Sequence, residues 1–68
     1  MLTKKFIDSL IGLPTTNAKN KVTNIGMKSV TYPSKSIITM IARPNTVLLF
    51  IENGIVKSAS AGDPTEIV

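Results

Sequence analysis

A mainly β fold is predicted for this chain: a short N-terminal helix, an extended basic arm, and an antiparallel β-meander forming a small sandwich or barrel-like unit completed by association. Three observations carry the prediction. Asn53-Gly54 separates two strand-like runs, Thr46–Glu52 and Ile55–Ser60, and both turn residues accept positive φ cheaply, as a two-residue type I′ hairpin requires. Apolar residues then alternate in register across the turn. Finally, the meander is apolar on both faces, more than one small core can use.

The elements follow in chain order. Residues 2–11 read as a helix, because Leu2, Phe6, Ile7, Leu10 and Ile11 share one side. Gly12 is placed to end it and Pro14 follows. Lys4 and Lys5 stand at the positive end of the helix dipole, so the segment must dock to persist. With residues 1–13 as this helix, residues 14–35 read as an extended basic arm, in which Val22, Ile25, Met27, Val30 and Tyr32 are scattered among Asn, Lys, Ser and Thr. A short strand over Ser29–Tyr32, ended by Pro33, is expected inside it.

Residues 36–68 form the meander. Its strands are Ser36–Ala42, Thr46–Glu52 and Ile55–Ser60, with turns at Pro44-Asn45 and Asn53-Gly54. A two-residue loop sets Glu52 opposite Ile55, Ile51 opposite Val56, Phe50 opposite Lys57 and Leu49 opposite Ser58. Across the earlier turn, Ala42 meets Val47, Met40 meets Leu49 and Ile38 meets Ile51. Ile38, Met40, Val47, Leu49, Ile51 and Val56 become the core face. Ile37, Ile41, Leu48, Phe50 and Ile55 lie on the other face, and these five are the expected protein interface. Gly62-Asp63-Pro64 reads as a turn, after which Thr65–Val68 could begin a further strand.

Composition narrows the function. A chain of 68 residues makes one small domain that buries only about 60% of its unfolded surface, and such domains lean on disulfides, metals or oligomerisation. Cys and His are both absent, which removes disulfides, thiolate zinc sites, the commonest metal ligand and the usual general base. Association is what remains. No nucleophile–base pair, phosphate loop or calcium loop stands out, so neither an enzyme nor a cofactor is expected, and a small-molecule substrate is not expected either. Asp63 and Glu66 flank a turn, where capping outweighs a catalytic dyad.

No apolar run approaches the ~20 residues of a membrane span. Lys4 and Lys5 precede an apolar stretch as in a signal peptide, but Asp8 interrupts it and no cleavage-site pattern follows. A cytosolic product is the expectation. Residues 1–43 carry a net charge of +6 and residues 44–68 a net −2, a basic half preceding a β half. Lys19, Lys21, Lys28 and Lys35 could follow a nucleic-acid backbone. Against this, the arm holds one aromatic, Tyr32, and no Arg for stacking or bidentate readout. Arg43 beside Pro44 is expected to cap a strand end or to meet Glu52 or Asp63 of a neighbouring subunit.

The segment Ala42–Gly62, ARPNTVLLFIENGIVKSASAG, resembles a stretch of phage virion proteins of β-sandwich type. The matching positions are Arg43, Pro44, Thr46, Phe50, Asn53, Gly54, Ile55, Val56, Ser58 and Ser60, under a third of the chain. The resemblance implies a capsid-associated or decoration role in the virion, with copies of the chain or other capsid proteins as partners, and it supplies no catalytic residues. A basic nucleic-acid-binding accessory protein and a small inhibitor offering its hairpin edge to a host enzyme are the alternatives.

Overall fold

The computed structural model describes residues 2–35 and 43–67. Two helices and a three-stranded mixed sheet form a small α+β arrangement, in the order α1 (Lys4–Leu10), α2 (Thr15–Asn24), β1 (Lys28–Pro33), β2 (Thr46–Glu52), β3 (Ile55–Ala61) and a 3-10 turn η1 (Pro64–Glu66). Thr3 starts α1: its side chain accepts the Phe6 N–H at 3.1 Å, meeting one of the helix's orphan donors. Ile7 and Leu10 are buried, Phe6 packs beside them, and Leu2 joins the same core. Gly12, at φ +89°, does leave the helix there, but its N–H donates to the Val56 carbonyl of β3 at 2.8 Å. The residue expected to cap a helix also ties it to the sheet.

Residues 14–35 are not an extended arm, because α2 occupies Thr15–Asn24. Thr and Asn are weak helix formers, so this helix owes its place to packing. Ala18 and Val22, one turn apart, are both fully buried against the sheet. Its end is a Schellman motif: Met27 N–H reaches Val22 O at 3.2 Å and Gly26 N–H reaches Thr23 O at 2.9 Å, with Gly26 at φ +79°. Met27 then packs onto the core that contains Val22.

The strand order is β1-β2-β3, with β1 parallel and β3 antiparallel to β2. Both lateral edges of β2 are therefore taken. Val47, Leu49 and Ile51 stand opposite Ser29, Thr31 and Pro33 on one side, so the expected ladder of Val47, Leu49 and Ile51 with Ala42, Met40 and Ile38 is replaced. Residues 36–42 lie outside the described residues, as do the expected contacts Ile37 and Ile41. β1 obeys the rule for proline in sheets. Lys28 N–H and Ser34 N–H point to β2, at 2.9 Å from Asn45 O and 2.9 Å from Ile51 O. By alternation Pro33, which has no N–H, falls on the outward side.

The hairpin forms as the turn chemistry requires, with Asn53 at φ +54° and Gly54 at φ +77°. Glu52 pairs with Ile55 and Ile51 with Val56, as expected. The register then shifts: Phe50 pairs with Ser58, Leu49 with Ala59, Leu48 with Ser60 and Val47 with Ala61. Lys57 is the extra residue of a β-bulge. An unbroken register would aim Ser58 and Ser60 at the core. The bulge turns Ala59 and Ala61 inward instead, so no serine hydroxyl is stranded there.

The core gathers Leu2, Ile7, Leu10, Ala18, Val22, Val47, Leu49, Val56 and Ala61, which places α1 and α2 on one face of the sheet. The segment between the helices also shields the start of the β3 edge. Val56 N–H donates to Leu13 O and Thr15 N–H to Gly54 O, each at 2.9 Å. After β3 the chain enters η1 and not a strand, and Ile67 makes a single parallel bridge to Leu2.

Candidate interaction face

Strand alternation assigns the sheet face away from the helices to Lys28, Val30 and Tyr32 of β1, Leu48, Phe50 and Glu52 of β2, and Ile55, Ser58 and Ser60 of β3. Its centre is an aromatic pair. Tyr32 and Phe50, opposite one another in the parallel register, stack with ring centroids 5.9 Å apart and planes inclined by 27°, a geometry favoured by the ring quadrupoles. Both are half-buried, as is Val30. Lys57 and Glu52 form a solvated ion pair of 3.7 Å at the hairpin end.

Three of the five residues expected to form a protein interface are described, and they behave differently. Leu48 retains only 7% of its surface, which leaves little of it for a partner. Phe50 is half-buried, while Ile55 is 39% exposed at the tip of the hairpin. Large exposed apolar residues also occur at Ile11 (47%) and Ile25 (40%), which no strand pattern could have indicated. Tyr32 joins the face because β1 pairs with β2 in parallel. That pairing is non-local, and alternation within one hairpin carries no sign of it.

The four candidate nucleic-acid lysines are divided between layers. Lys19 and Lys21 are exposed on α2, Lys28 opens β1, and Lys35 follows it in a turn. Only Lys28 shares a face with Tyr32 and Phe50. The four carboxylates show no catalytic pairing. Asp8 lies exposed on α1 and Glu52 meets Lys57. Asp63 Oδ1 accepts the Thr65 N–H at 3.0 Å and the Thr65 hydroxyl at 2.7 Å. Glu66 Oε1 accepts the Asn45 N–H at 2.8 Å. The hydroxyl bond, followed by the backbone bond, holds the Asp63 carboxyl below its usual range. These are capping roles that open η1 and fasten it to the start of β2. Arg43 is exposed, and its N–H donates to Gly62 O at 3.0 Å, tying the approach to β2 to the end of β3.

An open depression of about 370 Å³ lies where α2 begins and β1 ends, lined by Thr15, Thr31, Tyr32, Pro33 and Ile51. It holds no acid–base pair. Among the described residues no three His, Cys, Asp or Glu side chains cluster as metal ligands, and no helix is long and apolar enough to cross a membrane. No family model, characterised protein or solved structure matches this chain.

Proposed function

We propose that this protein is a non-catalytic assembly module, a small structural component of a viral particle that joins copies of itself or capsid neighbours through the sheet face away from its helices. One observation carries the proposal: the stacked Tyr32–Phe50 pair keeps solvent-facing surface in the middle of that face, with exposed Ile55 at its hairpin end. Aromatic side chains flanked by aliphatic ones are typical anchors of protein contacts. Asp63 and Glu66 are engaged in caps and Glu52 in an ion pair, which suits a scaffold better than a catalyst.

Native mass spectrometry of the chain at low and at moderate salt tests this. An oligomer held by apolar contact persists at moderate salt, because screening acts on exposed charges. Ile55→Asp, at a position already exposed, shifts it toward monomer without unfolding it, and Phe50→Asp does so more strongly. A monomer at every concentration, or an oligomer indifferent to both substitutions, refutes the proposal.

A second reading rests on Lys28, which shares the face of the aromatic pair at the far end of β1, beyond Val30: a base stacks on the outer ring surface while the lysine meets a phosphate further along the strand. Affinity for single-stranded nucleic acid that falls steeply with salt and is lost in Lys28→Ala and Tyr32→Ala supports it. Absence of binding at low salt removes it.

A further inference from the structure

We infer that Asn53 is a site of spontaneous covalent modification, at which the side-chain amide converts to a carboxylate through a cyclic imide with Gly54. The Gly54 backbone nitrogen attacks Cγ of Asn53; the new N–Cγ bond forms as the Cγ–Nδ2 bond breaks, and ammonia leaves with the proton from the Gly54 nitrogen. Water then opens the imide at either carbonyl. One product is an ordinary aspartyl residue in an unaltered backbone; the other is its isomer, in which the backbone runs through the former side chain. No oxidant or cofactor is consumed.

Several features of the turn favour this chemistry. Gly54 carries no Cβ to crowd the attacking nitrogen, and apart from its two chain neighbours no residue has a heavy atom within 4 Å of where a Cβ would stand. Asn53 is exposed. Among the described residues no hydrogen bond engages either its side-chain amide or the Gly54 N–H. The other asparagines are guarded. Asn17 and Asn24 precede amides that donate to Pro14 O at 3.0 Å and to Val22 O at 3.2 Å, and Asn20 lies within α2. Asn45 spends its N–H on Glu66 and its Nδ2 on Gly26 O, and it precedes the larger Thr46.

The two products differ in consequence. Asp tolerates positive φ much as Asn does, so the aspartyl product keeps the turn and sets a second carboxylate beside Glu52. The isomer lengthens the backbone between Glu52 and Ile55, and a two-residue loop no longer closes. Gly54 O, which accepts both the Thr15 N–H (2.9 Å) and the Thr15 hydroxyl (3.0 Å), is then displaced. The isomer releases the start of α2 from the hairpin.

The test ages the full chain at mildly alkaline pH, folded and in denaturant, and follows each asparagine by peptide mass mapping with enzymatic labelling of isoaspartyl groups. In the folded chain Asn53 converts first, ahead of Asn17, Asn20, Asn24 and Asn45, because a following Gly without a Cβ leaves its nitrogen the freest to reach Cγ. The isoaspartyl fraction loses amide hydrogen protection at Thr15 and Val56, whereas Asn53→Asp retains it. The inference is overturned if Asn53 stays amidated in the folded chain while the denatured chain converts it, or if another asparagine converts first. Equal loss of protection in Asn53→Asp overturns the account of the isomer.

Discussion

The bulge at Lys57 can be tested by exchanging hydroxyls across β3. In the observed register Ala61 is 4% exposed opposite Val47, and Ser58 is exposed opposite Phe50. In the unbroken register Ser58 would occupy the core opposite Leu49, and Ala61 would face outward. The two registers therefore predict opposite results. With the bulge, Ala61→Ser buries a hydroxyl in an apolar cluster and costs about 1–3 kcal/mol. Ser58→Ala changes an exposed position and stays within about 0.5 kcal/mol of neutral. Without the bulge, Ser58→Ala stabilises and Ala61→Ser is silent. Urea unfolding followed by circular dichroism measures both, and for a domain this small each kcal/mol moves the melting temperature by about 4–8 °C. A silent Ala61→Ser with a stabilising Ser58→Ala refutes the bulged register and the physical reason given for it.

Other positions give independent checks. Gly62→Ala would place its Cβ 2.5 Å from Arg43 O and 3.1 Å from Thr46 O, both backbone atoms that cannot swing away. It should destabilise by about 1–3 kcal/mol, the range for overpacking, and a neutral result in thermal melts would show that the two segments are not so close. Val22→Ala removes a fully buried side chain and should cost about 1–3 kcal/mol with loss of helical signal; an exposed, extended segment would feel nothing. Because the folded Asp63 pKa is lowered by Thr65, the stability it contributes is present above the unfolded value near 3.8 and is lost as pH falls through the folded one. Thr65→Val should raise the Asp63 pKa in a carboxyl NMR titration, and an unchanged value would remove the cap.

What the sequence disclosed divides along the range of the interactions. Asn53-Gly54 specified its turn and the pairs beside it because positive φ is a local demand. Ile7 and Leu10 revealed a helix because their spacing suits one face. Thr15–Asn24 escaped because Thr and Asn argue against a helix locally. Ala18 and Val22 do lie one turn apart, and Gly26 stands where a terminating glycine belongs, so the signal was present but faint. The parallel pairing of β1 with β2 left no local trace, since neither strand's composition records its neighbour. Nor did a regular hairpin register anticipate that two serines and two alanines would settle the phase of β3.

The same geometry bears on how strongly the proposed face could bind. Val47, Leu48 and Leu49 form a continuous apolar run, and all three are buried. The surplus apolar surface inferred from alternation is therefore partly consumed within the chain at Leu48. What remains is narrower: chiefly Tyr32, Phe50 and Ile55 toward the hairpin end, with half-buried Val30 beside them. A patch of so few side chains falls well short of the roughly 1,200–2,000 Å² buried in a stable interface between two proteins. On the assembly proposal, pairwise association through this face is weak and depends on concentration. It becomes durable where many copies are held side by side, as on a particle shell, because each further contact forms at a high effective concentration. Sedimentation equilibrium distinguishes the cases: dissociation over the micromolar range agrees with a face that works in arrays, and a tight dimer at nanomolar concentration means that a larger surface than Tyr32, Phe50 and Ile55 does the joining.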